Sequence, residues 1–145
     1  MIVVVADTSG LVAALDETHP LGDAARTVLR DAGTVVVSPV LLGELDHVAR
    51  RVLGPAAAHR GVDDIRRWAR AGRAVLPQVT ADVLDTAQAV RTHYRDLRLD
   101  LADAVNVAFA AQFATDAVLT LDSRDLRALR PLTDHTAFRL LPEDA

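Results

Sequence analysis

The 145-residue sequence contains neither cysteine nor lysine. Without cysteine there can be no disulfide, no thiolate-held zinc and no cysteine nucleophile. Without lysine there can be no Walker-type phosphate loop, and all sixteen basic residues are arginine. Aromatic residues make up 3% of a chain that is 50% hydrophobic, so a core must be assembled mainly from alanine, valine and leucine. No apolar run approaches the roughly 20 residues that span a bilayer. No charged segment precedes the first apolar run, so a signal peptide is not expected, and a soluble cytoplasmic protein is the default. There is no G-x-S-x-G elbow, and Ser9 and Ser38 have no evident base partner, which removes a serine hydrolase. The five histidines, at 19, 47, 59, 93 and 135, form no His-x-x-x-His or similar pair and read as surface or packing residues. His47, three residues after Glu44, is the one that bears on the acidic residues below.

The length suits one domain, residues 1–145, with a real core and is too short for two ordinary ones. A net charge of −4 argues against a basic nucleic-acid coat protein. It leaves room for a nuclease whose acidic centre sits beside an arginine rim, since the planar guanidinium bonds two phosphate oxygens at once.

The continuous apolar run over residues 2–6 predicts a buried strand of a parallel sheet. Helical spacing follows over Thr8–Leu15 and Pro20–Ala32, with Thr8 or Ser9 as a cap for the first. Thr34–Val37 reads as a strand. Ser38-Pro39 opens a helix to about Leu53, a hydroxyl cap followed by proline at the first helical position. Further helices are predicted over 56–71, Thr80–Tyr94 and Leu101–Ala114. Strands are predicted at Ala74–Leu76, Ala117–Leu121 and, as an edge, Ala137–Leu141. Alternating strands and helices imply an α/β fold, a three-layer α/β/α sandwich around a mainly parallel sheet. In such sheets ligands bind beyond the carboxyl ends of the strands.

Four acidic residues fall at the edges of these segments. Asp7 ends the first strand and Asp122 follows Val118-Leu119-Thr120-Leu121. Glu44 lies early in the Ser38-Pro39 helix, flanked by Leu41 and Val48. Asp103 follows Asp100 by three residues, an arrangement that also makes a helix cap with an acid at the third position. Asp122 and Asp125 repeat that pattern. Asn106 stands one turn after Asp103, and Thr120 carries a hydroxyl toward the same edge. Each carboxylate has an ordinary reading as a cap or a solvated side chain. Four of them at one sheet edge would repel one another, and one or two divalent cations would relieve that.

Asp7-Thr8-Ser9, Glu44 after Ser38-Pro39, Asp103-Ala104, and Thr120-Leu121-Asp122 followed by Asp125-Leu126 together resemble the PIN-domain family. The likeness is strongest to the VapC-type toxins of bacterial toxin–antitoxin pairs and extends over nearly the whole chain. It implies a PIN-like fold, an Mg²⁺- or Mn²⁺-dependent endoribonuclease, an antitoxin that covers the site, and a homodimer. It carries the family's acidic set onto Asp7, Glu44, Asp103 and Asp122, with Asp125 competing for the fourth place and Asp100 matching an extra acid of some members. Thr8, Ser9, Asn106 and Thr120 join the site as auxiliary residues. Arginines that would steer RNA are Arg66, Arg67, Arg70 and Arg73, or Arg91, Arg95 and Arg98, or Arg124 and Arg127.

A two-component receiver and a haloacid-dehalogenase-type phosphatase also place acids at a sheet edge, but each expects a lysine. A non-catalytic PIN-like interaction module would tolerate broken acidic positions, and all four are present. A structure-specific DNA nuclease would need more chain for a clamp or arch.

Overall fold

The computed structural model describes residues 1–145. Five parallel strands, β1 (Val3–Ala6), β2 (Thr34–Val36), β3 (Ala74–Val75), β4 (Ala117–Leu119) and β5 (Arg139–Leu141), form one sheet in the order β3-β2-β1-β4-β5. Seven α-helices connect them: α1 (Thr8–Leu15), α2 (Gly22–Asp31), α3 (Pro39–Leu53), α4 (Pro55–Arg70), α5 (Ala81–His93), α6 (Leu101–Gln112) and α7 (Arg124–Arg127). The α/β sandwich expected from the alternation is present, and every strand pair is parallel.

Side chains alternate across the pleat, and this builds two separate cores. Val4, Ala6, Val35 and Leu119 face one layer with Leu11, Leu29, Leu41 and Ile65 of α1 to α4. Val5, Val36, Val118 and Leu140 face the other, with Val90, Val105 and Phe109 of α5 and α6. Phe109 is the largest fully buried side chain, in keeping with a core made otherwise of small aliphatics.

Helix boundaries follow local capping. The Ser38 hydroxyl accepts from the Val40 N–H at 3.2 Å and opens α3, while Thr80 does the same for α5 through the Val83 N–H. Gly54, at φ 98°, ends α3 in a conformation that disfavours a side chain. Ser38 is fully buried and α3 carries Glu44. Ser38→Ala is expected to remove about 1 kcal/mol of stability, measured as a lower urea midpoint at unchanged slope.

The strands are shorter than the apolar runs suggest. The strand expected to reach Leu121 ends at Leu119, so Asp122 lies three residues past it and the residue at the tip is Thr120. Neither Thr8 nor Ser9 caps α1; Asp7 holds the N-cap position without a side-chain capping bond. At α7 the cap position is Ser123, not Asp122, again without a side-chain bond. The 3₁₀ turn Arg95–Leu97, with Arg98 left-handed at φ 53°, has no periodic signature in the sequence.

Candidate active site

The chain runs β1, β2, β3 outward and then returns to lay β4 on the other side of β1. The connections on either side of β1 and β4 therefore diverge, and a crevice opens at their carboxyl ends. Asp7 stands at that point, fixed by its own N–H donating to Leu119 O at 2.9 Å. Its carboxylate accepts from the Thr120 hydroxyl at 2.8 Å and from the Ser9 hydroxyl at 3.3 Å. Ser9 Oγ also receives the Leu121 N–H at 2.9 Å, and Thr120 Oγ1 receives the Asp122 N–H at 3.1 Å. The turn after β4 is thus stitched to the start of α1 around one carboxylate.

Four carboxyl groups share this crevice. Burial pushes the Asp7 carboxyl up from its ordinary value, and Glu44 adds to the rise. Hydrogen bonds from Thr120, the Thr8 N–H and Ser9 oppose it. The Asp103 carboxyl is pushed up to about 8, first by burial and then by Asp100, Asp7 and Glu44. Asp100 caps α6, accepting the Asp103 N–H at 2.8 Å, so the cap places a second acid against the first. None of the ion pairs in the structure involves any of these four residues. Acidic groups are gathered here with no arginine to neutralise them.

The donor set is all hard oxygen, which fits a divalent cation of the Mg²⁺ class. No three of the side chains close into a tight ligand cage. Mg²⁺ does not need such a cage, being commonly held by one or two carboxylates with several waters retained.

The remaining sequence candidates divide. Asp122 is exposed and joins the site through its backbone, its N–H donating to Thr120. Asp125 is half-buried, with Arg124 at 3.9 Å. Thr8 is buried and its hydroxyl has no partner. Asn106 is buried on α6, its Nδ2 donating to Ala6 O at 3.3 Å. His47 is exposed.

Several arginines expected at an RNA rim are already engaged. Arg66 and Arg67 pair with Asp63, and Arg67 also with Asp64; Arg127 grips Asp144 through two bonds of 2.7 Å. The i to i+3 and i+4 spacing of Asp63, Asp64, Arg66 and Arg67 was a readable sign of those pairs. Arg91 donates through Nε to Leu99 O at 3.1 Å and so braces the turn entering Asp100, a structural role the sequence did not suggest. Arg70, Arg95, Arg98 and Arg124 are exposed.

Thr120→Val would strip Asp7 of its closest hydrogen-bond donor. Because that bond favours the ionised form, its loss raises the Asp7 carboxyl further, and the acid limb of any metal-dependent rate should move to higher pH. The hydroxyl-free variant should also lose about 1–3 kcal/mol through the unpaired Asp122 N–H and Asp7 carboxylate, read from thermal melts.

Two larger hollows lie away from this chemistry. One, of about 250 Å³, is lined by Leu11, Leu15, Leu29, Ile65 and Trp68 with arginines at its mouth; a shallower one of about 350 Å³ lies against α4. Size does not make either the reactive site, because neither gathers unneutralised acids: Asp64, the one acid lining the first, is paired with Arg67.

The PIN domain family model matches residues 4–130. Ribonuclease VapC26 of Mycobacterium tuberculosis is 37% identical over 131 residues, spanning 87% of this chain and 91% of that protein. Among solved structures, VapC20 of M. tuberculosis, a sarcin–ricin loop cleaving toxin, superposes with a TM-score of 0.70 at 19% identity, over 83% of this chain and 90% of its own. A chain of VapBC2 from Rickettsia felis, solved bound to a DNA fragment from its promoter, gives 0.64 at 12% identity over 91% and 96%. At these identities the two structures speak for the fold alone.

Proposed function

The chain belongs to the PIN-domain family, in its VapC branch, and on that premise we propose that it is a divalent-metal-dependent endoribonuclease, the toxin of a toxin–antitoxin pair. The observation that carries this reading is the unneutralised cluster of Asp7, Glu44, Asp100 and Asp103 at the switch point of the sheet. The named activity of VapC26 supplies the reaction class, hydrolysis of RNA.

Asp7 and Asp103 would hold Mg²⁺ or Mn²⁺, Glu44 would bind it through water or orient the nucleophile, and Asp122 would help hold a second ion. The cation, when bound, lowers the pKa of water and offsets charge developing on phosphoryl oxygens. Thr120 and Ser9 hold the Asp7 carboxylate in a single orientation. Glu44 takes a proton from the attacking water as its oxygen bonds to phosphorus. The phosphorus–oxygen ester bond on the far side then breaks, and the leaving oxygen takes a proton from solvent water, while Glu44 returns its own to solvent. No covalent bond to the protein forms. Of the candidate rim arginines, Arg70, Arg95 and Arg98 are exposed and outside any ion pair, free to meet phosphates, so affinity falls with salt. With three phenylalanines, one tyrosine and one tryptophan in the chain, base stacking contributes little and the target is chosen by the shape of unpaired RNA.

An antitoxin that covers the crevice keeps the protein silent, and two copies form the working unit in the cytoplasm. No helix is long and apolar enough to cross a membrane.

Purified protein free of its partner is expected to cleave a structured RNA pool in Mg²⁺ or Mn²⁺ and to lose that activity in chelator. Addition of the antitoxin should suppress it, and light scattering should return twice the chain mass of 15.5 kDa. Cleavage that persists unchanged in chelator would remove the metal-dependent reading.

A further inference from the structure

Among the buried polar groups left without a role by the cation reading, one lies on α6 beside Asp103. Asn106 sits one turn after Asp103 on α6 and is 5% exposed. Its Nδ2 donates at 3.3 Å to the carbonyl of Ala6, the residue before Asp7. A carbonyl only accepts, so this bond fixes the orientation of the amide and leaves Oδ1 as its free end. Oδ1 is buried and has no partner in the protein. A buried acceptor without a donor is unfavourable, and native interiors supply one.

The same side chain lines a cavity of about 10 Å³ together with Asp7 and Asp103, the rest of the wall being apolar and including Leu126 and Phe138. That volume is about what one water needs. With a cation bound both aspartates are ionised and only accept, so in that state neither can satisfy Oδ1 directly. A water can, because it donates twice.

We propose that Asn106 is a positioning residue: one water in this cavity donates to Asn106 Oδ1 and to a carboxylate oxygen of Asp7 or Asp103, tying α6 to the tip of β1 and setting how the two carboxylates face. This inference rests on the acidic cluster being the cation site. Asn106 would not touch the cation or the RNA.

The test is Mn²⁺ binding, followed by the electron paramagnetic resonance of the free ion, for wild type, Asn106→Leu and Asp7→Asn. Leucine has the same branched heavy-atom skeleton as asparagine and removes both the amide and its unmet acceptor. Asn106→Leu is expected to bind Mn²⁺ at least about tenfold more weakly, as for other groups that orient metal ligands, while its metal-free melting point stays within a few degrees. A merely structural asparagine would instead lower the melting point and leave Mn²⁺ affinity of the folded protein unchanged. Affinity within twofold of wild type overturns the proposal. Should the leucine variant not fold, Asn106→Ser, smaller and still polar, is read by the same criterion with a loss of about threefold or more expected. Asp7→Asn separates the two levels. If it binds Mn²⁺ like wild type, the cation site itself is misplaced; if it loses Mn²⁺ and the Asn106 variant does not, only the positioning role fails. A high-resolution crystal structure of the Mn²⁺-bound protein should show the water within hydrogen-bonding distance of Oδ1 and a carboxylate oxygen. A dry cavity there would overturn the proposal as well.

Discussion

Asp103→Asn is expected to lower kcat/KM for RNA cleavage by at least about a hundredfold, and at the same time to make the metal-free protein more stable at pH 7. The two effects have one cause. Groups that merely orient a metal ligand are worth about 10–100-fold, so loss of a ligand itself should exceed that. The stability gain comes from the proton. Asp103 has an ordinary pKa of 3.8 and is pushed up to about 8 in the fold. Between those values the unfolded chain has released a proton that the folded chain keeps. Stability of the metal-free protein therefore falls as pH rises from about 4 to 8 and levels off above. Asparagine removes that dependence. Solvent screening of a half-buried carboxyl holds the gain to about 1–2 kcal/mol, or roughly 3–8 °C in Tm. The α6 cap survives, since Asp100 accepts from the backbone N–H of residue 103. Thermal melts of both proteins in chelator between pH 5 and 9 check the stability half. An Asn variant that melts lower than wild type at pH 7, with the same pH profile in both proteins, would show that Asp103 is not under electrostatic pressure. Cation binding should release a proton from Asp103, so half-saturating Mg²⁺ in the wild type should fall as pH rises toward 8.

Gly10→Val is expected to destabilise the fold by about 3 kcal/mol or more, lowering Tm by about 10 °C, and to abolish cleavage in the fraction that folds. A β-carbon at position 10 would stand 2.5 Å from Leu119 Cγ, 2.8 Å from Leu119 O and 3.0 Å from its carbonyl carbon. Leu119 is fully buried and its backbone belongs to β4, so neither can yield cheaply. Helix α1 must lift away from the sheet. The lift would pull Ser9 from the Leu121 N–H and the Thr120 hydroxyl from Asp7, because those two bonds join the start of α1 to the turn after β4. Gly43→Ala is the control. Position 43 is also helical, but an added β-carbon there meets nothing within 4 Å, and alanine should be neutral or stabilising by up to about 1 kcal/mol. Equal melting points for Gly10→Val and the wild type would show that α1 and β4 are not in fact this close.

Much of this molecule is decided by neighbours in sequence. The element order is legible because each strand is a short apolar run and each helix a 3.6-residue stripe. The caps at Ser38, Thr80 and Asp100 are local hydrogen bonds of two or three residues' span, readable wherever hydroxyl or carboxylate precedes a periodic segment. The acids that meet in the crevice were legible as residue types at segment edges, with Asp100 weighed as a cap and extra acid. Other features have no local signature. The order β3-β2-β1-β4-β5 comes from which apolar faces find one another, and it alone creates the crevice at β1 and β4. Strand β4 stops at Leu119 although the apolar run continues to Leu121: ladder pairing with β1 and β5 ends there, and pairing is a property of three strands rather than one. That end puts Thr120 instead of Asp122 against Asp7. The load on Asp103 likewise depends on burial and on charges from residues 3, 59 and 96 positions away, and a carboxylate's field reaches across space without regard to the chain between.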